Sequence, residues 1–335
     1  MAVLRVNATR SGELSTACQG ASWRLELDRA LERLAPEDPV CILIHGYRFT
    51  WRADTPCLDP HLRLFGAGQS RCGQLRPVRG DWAGWLGFSE EPDRDGLCIA
   101  FGWEARSTKS GGRSRTFAKI YRDAAKAAGA LGILAAHIAA RRPGLSIDML
   151  AHSLGARVAL NCLSQRPLDQ YGRVILMGAA EFVSEAEAAL AAPHQAEIYH
   201  MLSRANDPFD GLFGLLAPTQ LAMHQVSLGI RGLGRAHARW IDLQLDLPAL
   251  GDWLEMRGHR LTREERVSHW HFYADAGAMG FYRAILRHRP PHAIRNLRAA
   301  RIPEEIEPRW SRLISLPTLG ADDWPTTGTP LPNRG

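Results

Sequence analysis

The stretch from residue 146 to residue 157 reads SIDMLAHSLGAR and decides the fold. Its first five residues form a short, mainly apolar run, which is typical of a buried parallel strand. The residues after Ser153 predict a helix. Small residues, Ala151 and Gly155, stand two positions before and two positions after Ser153, so a strand and a helix can approach closely there. The sequence therefore predicts a sharp strand-to-helix turn that exposes the Ser153 hydroxyl at the carboxyl edge of a sheet.

The chain on both sides of this unit continues the alternation of strands and helices. A helical pattern over residues 116–142 ends at Pro143-Gly144, and shorter helical patterns cover residues 154–163, 184–191 and 276–286. Strands that alternate with helices predict an α/β fold with a doubly wound, mostly parallel sheet and helices on both faces. The predicted strands are residues 40–44, 97–101, 146–151, 173–177, 197–203 and, as an edge strand, 240–246.

We predict one domain over residues 1–301 and a proline-containing C-terminal extension over residues 302–335. Residues 48–96 and 208–239 exceed ordinary connection lengths and are predicted to be long loop insertions, which often form pocket walls. Both carry large apolar side chains that would favour an apolar ligand: Trp51, Trp82 and Trp85 in the first, and Phe209, Leu212, Phe213, Leu215 and Leu216 in the second.

A serine at such a turn is either a nucleophile or a simple N-cap of the following helix. A nucleophile that attacks a carbonyl group needs two backbone N–H donors for the oxyanion, one directly after the serine and one at the end of a neighbouring strand. The Leu154 N–H is the first candidate. The run VCILI leads directly into His45-Gly46-Tyr47, so the Tyr47 N–H is the second, although His45-Gly46 alone could be an ordinary turn.

Three segments follow successive predicted strands: His45-Gly46, Phe101-Gly102-Trp103 and AHSLGAR. Together they resemble the α/β-hydrolase superfamily, and more narrowly its bacterial branch with an HGY oxyanion segment and an AHSLG nucleophile elbow. The resemblance covers residues 40–286 and implies the α/β-hydrolase fold. It also implies a serine hydrolase with a triad in the order Ser, Asp/Glu, His and with no metal ion or organic cofactor. It does not imply a substrate, because the fold hosts esterases, lipases, thioesterases and peptidases.

The triad acid orients the histidine and should lie at the end of a late strand. Our candidate is Asp207, in the segment Asn206-Asp207-Pro208. Glu181, one strand earlier, and Asp210 remain alternatives. Asp207 could also be a turn residue before a proline.

The base should follow the last strand, which leaves His259, His269 and His271. We assign it to His269, with His271 as the alternative, since the segment SHWHFY precedes the predicted helix at residues 276–286, where the superfamily places its histidine. Two histidines two positions apart cannot both face Ser153 from one short loop. An imidazole with the ordinary pKa of about 6.5 would make activity fall between roughly pH 7 and 6.

We interpret the chain as an enzyme, a serine hydrolase of the carboxylesterase type that cleaves an acyl ester through an acyl-enzyme. The triad is Ser153, His269 and Asp207, and the oxyanion donors are the N–H groups of Tyr47 and Leu154. The expected partner is a small-molecule ester with an apolar acyl or aryl group. A lipase or thioesterase with the same mechanism is an alternative, and so is a non-catalytic binding module with the hydrolase fold.

The composition argues against other classes. With 45% hydrophobic and 23% charged residues, the 335-residue chain is not a disordered protein. The net charge is +6, but the basic residues are spread along the chain, and we read residues 283–301, with six arginines, as a solvated helix face, so no nucleic acid is expected. The six cysteines lack metal-ligand spacing. No membrane span and no secretory signal are visible, which favours the cytoplasm.

Overall fold

The described strands pair into one mostly parallel sheet. The structure is a computed structural model that describes residues 3–16, 22–51, 58–66, 81–88, 96–106, 113–217, 225–262 and 267–312. In these ranges the strands are β1 (Val3–Ala8), β2 (Leu14–Thr16), β3 (Val40–Ile44), β4 (Leu97–Trp103), β5 (Ile147–His152), β6 (Tyr171–Met177), β7 (Glu197–Leu202) and β8 (Trp240–Gln244). They form an eight-stranded sheet in the order β2-β1-β4-β3-β5-β6-β7-β8, and β2 runs antiparallel to β1 while the other pairs are parallel.

Helices cover both faces of this sheet, so the predicted doubly wound α/β fold is confirmed. The described helices are α1 (Trp23–Leu31), α2 (Pro60–Arg63), α3 (Trp82–Trp85), α4 (Arg113–Arg141), α5 (Gly155–Gln165), α6 (Val183–Ala191), α7 (Asp207–Leu216), α8 (Leu228–Arg231), α9 (Pro248–Glu255), α10 (His271–Ala274), α11 (Ala276–Arg287) and α12 (Ile294–Ala299). In β3, Ile42 and Ile44 face one core with α1, α4, α5 and α6, while Cys41 and Leu43 face a second core with α3, α9, α11 and α12.

All six predicted strands are present within two residues of their predicted ends, and β8 lies at the sheet edge as expected. The sequence analysis missed β1 and β2 at the N-terminus. β2 has only three residues, and β1 joins the sheet by parallel pairing with β4, a contact between residues more than 90 positions apart. The pairing places Val3 opposite Cys98, and local patterning does not indicate so distant a partner.

Part of the second predicted loop insertion is helical. Its apolar residues Phe209, Leu212, Phe213 and Leu216 are spaced as on one face of a helix, and the structure has α7 there. Helix α8 follows, and residues 218–224 of the insertion lie outside the described residues. Of the first insertion, α2 and α3 are described, while residues 52–57, 67–80 and 89–95 are not.

The first residues of the predicted C-terminal extension pack on the domain. Ile302 is buried in the second core, and the Glu307 N–H donates to Gln244 Oε1 at 2.8 Å, next to the end of β8. Residues 313–335 lie outside the described residues. The packed part of the domain therefore extends beyond residue 301.

The arginine-rich segment at residues 283–301 is held by internal contacts. Arg287 Nε donates to Leu86 O at 2.8 Å, Arg289 pairs with Asp148, and Arg298 pairs with Glu304. These three side chains do not form an open basic stripe. Of the cysteines that the structure describes, Cys41, Cys98 and Cys162 are free thiols in the interior. Among the described helices, none is both long and apolar enough to cross a membrane.

Candidate active site

Ser153 lies in a strained turn between β5 and α5. Its φ is 54°, a left-handed conformation that is uncommon for a residue with a side chain. Backbone hydrogen bonds fix the turn: the Ser153 N–H donates to Met177 O at 2.9 Å, and the Ala180 N–H donates to Ser153 O at 3.1 Å. The predicted strand, turn and helix are all present, and they hold the serine at the carboxyl edge of the sheet.

The glycines around Ser153 are required by close backbone contacts. A Cβ atom on Gly155 would lie 2.7 Å from the carbonyl oxygens of both Ile44 and His45, at the end of β3. A Cβ atom on Gly46 would lie 2.8 Å from the Cβ of Ser153. Glycine at both positions lets β3, β5 and α5 meet at one point.

We expect Gly155→Ala to lower the free energy of unfolding by about 1–3 kcal/mol, because the added methyl group meets backbone atoms that cannot rotate away. Gly129→Ala is the matched control. Gly129 also lies in a helix, but a Cβ atom there meets nothing within 4 Å. The control should be stabilised by about 0.5–1 kcal/mol. Urea unfolding followed by circular dichroism measures both, and equal effects would contradict the close-contact explanation.

Two backbone N–H groups beside Ser153 are available for an oxyanion. Tyr47 and Leu154 both line the same cavity as Ser153. Within the described residues, no protein acceptor is bonded to either N–H, although the neighbouring Arg48 N–H donates to Ala105 O at 3.0 Å. The two groups predicted as oxyanion donors therefore flank the serine in the structure.

His45 holds the oxyanion segment in place. Its Nδ1–H donates to Gly46 O at 2.9 Å, and its Nε2 accepts from the Trp103 N–H at 3.0 Å. The Trp103 indole N–H donates back to His45 O at 2.9 Å. Burial lowers the pKa of His45 to about 3, so the ring stays neutral and keeps this pattern of donor and acceptor.

His269 lies on the loop before α10 and lines the cavity with Ser153. Its ring stacks on Phe209, with a centroid distance of 4.6 Å, and its backbone carbonyl accepts from His152 Nε2–H at 3.0 Å. Burial, followed by the neighbouring His152 and His271, holds the pKa of His269 well below its usual value. In the described structure, no hydrogen bond joins Ser153 Oγ to the His269 ring.

Asn206 takes the position that the sequence analysis assigned to Asp207. His269 Nδ1–H donates to Asn206 Oδ1 at 2.6 Å. The Asp207 carboxylate points elsewhere: its Oδ2 accepts from the Trp310 N–H at 2.5 Å, and its Oδ1 lies 3.4 Å from Arg204 Nη1. In this structure Asn206, and not Asp207, is the hydrogen-bond partner that orients His269. The assignment to Asp207 is therefore wrong by one residue.

Asp210, one of the alternative acids, contacts the histidine through Asn206. Its carboxylate is hydrogen-bonded to the Asn206 side chain, which leaves the amide oxygen of Asn206 for the histidine. Burial raises the pKa of Asp210 to about 7, while Arg204 acts in the opposite direction. A Cβ on Gly229 would lie 2.3 Å from Asp210 Oδ2, so the glycine makes room for this carboxylate.

The remaining alternatives lie away from the cavity. Glu181 is fully buried, where it accepts from Tyr121 Oη–H and Arg157 Nη1–H at 2.6 Å each. His271 begins α10 with its ring on Phe272, 3.9 Å between centroids, and it does not line the cavity. Of the two histidines in the segment, His269 is therefore the one at the serine.

The cavity at Ser153 has a volume of about 740 Å³ and mainly apolar walls. Helix α7 supplies Phe209, Leu212, Phe213 and Leu216, as expected from the sequence, whereas Leu215 is exposed and does not line the cavity. The three tryptophans of the first insertion do not line it, so that expectation is wrong. Trp82 is buried in the second core, where Trp85 packs as well, and the Trp51 indole N–H donates to Ala8 O at 3.3 Å.

No metal site is found among the residues that the structure describes: no three histidine, cysteine or acidic side chains are grouped to bind an ion. The chain matches no family model and no curated protein. Among solved structures, it is similar to the crystal structure of TT1662 from Thermus thermophilus, with a TM-score of 0.37 and 14% sequence identity. The match covers 75% of this chain and 88% of that one.

Proposed function

We propose that this protein is a serine hydrolase of the α/β-hydrolase superfamily, a carboxylesterase that cleaves an acyl ester through an acyl-enzyme. The observation that carries the proposal is the left-handed turn at Ser153, with the N–H groups of Tyr47 and Leu154 and the ring of His269 around one cavity. A helix N-terminus behind the serine favours the developing negative charge. An N-cap role alone explains neither the cavity nor the histidine that lines it.

The reaction takes two steps. In the first, Ser153 Oγ attacks the ester carbonyl carbon while its proton moves to His269 Nε2, and the N–H groups of Tyr47 and Leu154 bind the oxyanion. The C–O bond then breaks, and the proton moves from His269 to the leaving alcohol. In the second step, water attacks the acyl-enzyme, gives its proton to His269 and releases the acid, and the proton returns to Ser153. No cofactor is needed for either step.

Asn206 and Asp210 orient the base in this mechanism. The Asn206 amide oxygen accepts from Nδ1–H, which leaves Nε2 free to accept a proton. Asn206 carries no charge, so it fixes the tautomer without the full stabilisation that a directly bonded carboxylate gives to an imidazolium. Asp210 supplies that negative charge one side chain farther away, in a buried setting where charge interactions are screened weakly.

The proposal is tested by incubating the purified protein with a fluorophosphonate probe and with nitrophenyl esters and acyl-thioesters of graded chain length. We expect covalent labelling of Ser153, identified by peptide mass, and turnover of the esters. Preferential cleavage of thioesters would favour a thioesterase, and preferential cleavage of long-chain esters a lipase. A folded protein that neither labels nor turns over any substrate would support the non-catalytic binding module.

We expect Asn206→Ala to lower kcat by about 10²–10⁴-fold, because His269 loses the acceptor that fixes its tautomer. Asp207→Asn should lower kcat by less than about tenfold, since Asp207 is bonded to the backbone of Trp310 and not to the base. Steady-state kinetics on one nitrophenyl ester compares the two, with thermal unfolding as a check of folding. The reverse ranking would return the acid to Asp207.

We expect kcat/KM to keep most of its value at pH 6 and to fall steeply only at lower pH. The folded protein lowers the pKa of His269, so the neutral ring, which is the form that accepts a proton, persists below the ordinary value of about 6.5. The pKa of Asp210 is raised to about 7, so kcat/KM should show a small rise as the pH increases through that value. Asp210→Asn should remove this rise. A pH–rate profile measures both, and an acid limb centred above pH 6.5 that persists in Asp210→Asn would contradict the lowered pKa of His269.

A further inference from the structure

Arg48 lies beside the proposed oxyanion segment in an unusual conformation. Its φ is 81°, in the left-handed region that glycine adopts without strain. The Arg48 N–H is fixed by its bond to Ala105 O, and the exposed residue lines the cavity that contains Ser153. A glycine at this position would relieve the backbone strain, but the chain carries an arginine there, at the entrance to the site.

The charge of Arg48 is uncompensated in the described part of the structure. No described carboxylate lies within ion-pair distance of its guanidinium, whereas the buried arginines Arg157 and Arg173 pair with Glu181 and Glu197. Among the described residues, the cavity lining contains one carboxyl group, Asp210, which is buried against Asn206 and Arg204. Among the described residues, the entrance therefore carries the uncompensated positive charge of Arg48 above mainly apolar walls.

This distribution suits an amphipathic ligand. Arg48 directly follows Tyr47, and consecutive Cα atoms are about 3.8 Å apart, so the Arg48 side chain starts beside the proposed oxyanion donor. An arginine presents a planar set of N–H donors that matches a carboxylate or a phosphate. The apolar walls formed by Phe209, Phe213 and Leu216 accommodate an aliphatic or aromatic portion of the same molecule.

We propose that the substrates of this site are esters that combine an apolar chain with an anionic group, a carboxylate or a phosphate, which Arg48 binds. This substrate class rests on the proposed function, but the binding of an anionic amphiphile can be measured without turnover. It makes Arg48 a residue that determines specificity and takes no part in bond cleavage.

The first experiment compares 4-nitrophenyl hydrogen suberate with 4-nitrophenyl octanoate, which differ by a terminal carboxylate in place of a methyl group. We expect the wild-type protein to prefer the suberate in kcat/KM by about tenfold, less at high salt. Arg48→Gln should abolish the preference and leave octanoate turnover within about twofold, while Arg48→Lys should keep part of it. Arg33→Gln removes the same charge from an exposed site and should change nothing. A preference unchanged in Arg48→Gln would show that Arg48 does not bind an anion on the acyl part of the ester.

The anion can belong to the acyl or to the alcohol part of the ester. The second arm therefore compares 4-carboxyphenyl octanoate with 4-(methoxycarbonyl)phenyl octanoate in the same variants. An Arg48-dependent preference in one arm identifies the part of the substrate that carries the anion. If Arg48→Gln alters neither comparison, the proposal is wrong.

A binding measurement separates this proposal from the proposed function. Isothermal titration calorimetry with 9-oxodecanoate and with 2-decanone uses ketones that cannot be hydrolysed. We expect the anionic ketone to bind about tenfold more tightly, and Arg48→Gln to remove the difference. If the anionic ketone binds more tightly through Arg48 but no ester is hydrolysed, the proposed hydrolase function is contradicted and the anion site is supported. Equal binding of both ketones to the wild-type protein would overturn the anion site, whatever the enzyme hydrolyses.

Discussion

Ser153→Ala is expected to lower kcat by about 10⁴–10⁶-fold and to abolish fluorophosphonate labelling, while the fold is retained. The nucleophile is lost, and removal of a triad member typically has an effect of this size. Folding should be little affected, because the bonds that fix the turn come from the Ser153 backbone, which alanine preserves. Circular dichroism and thermal unfolding verify the fold, and a nitrophenyl ester measures kcat.

Ser164→Ala is the matched control for this variant. Ser164 lies on α5, the helix that follows Ser153, and its hydroxyl donates to Asn161 O at 3.2 Å. Labelling and turnover should both stay at the wild-type level. A Ser153→Ala protein that keeps a tenth of the wild-type kcat would show that another group attacks the ester.

His269→Ala is expected to lower kcat by about 10⁴-fold or more, because the base and its proton transfers are both lost. Added imidazole should restore part of the activity, since the truncated side chain leaves space between Phe209 and Asn206 for a free ring. The measurement is kcat on one activated ester at increasing imidazole concentration. Rescue distinguishes a lost base from a distorted site.

His271→Ala is the companion variant, two positions along the chain. His271 lies outside the cavity against Phe272, so its loss should affect thermal stability more than it affects kcat. Added imidazole should not change kcat in this variant. Near-normal kcat in His269→Ala together with an inactive, folded His271→Ala would move the base by two residues. The sequence left this choice between His269 and His271, and the cavity favours the first.

Much of the fold could be predicted from local patterns. The strands β3 to β6 are mainly apolar runs, and β8 alternates apolar and polar residues as an edge strand does. The spacing of Phe117, Ile120, Tyr121 and Ala124 on one face identified α4, so local patterns indicated these elements. The turn at Ser153 could be predicted because close backbone contacts require small residues at Ala151 and Gly155. Those requirements are local and therefore visible in a single sequence.

The sequence by itself determined that Ser153, the segment after β3 and a late histidine meet at one sheet edge, because parallel strands end on the same side. Only the tertiary structure decided which of two adjacent residues faces His269. The Trp310 N–H, more than 100 positions away, binds the carboxylate of Asp207, and Asp210 takes the amide of Asn206. Successive side chains point in different directions, and contacts with distant residues select the direction of each side chain. A local sequence pattern carries no information about those contacts.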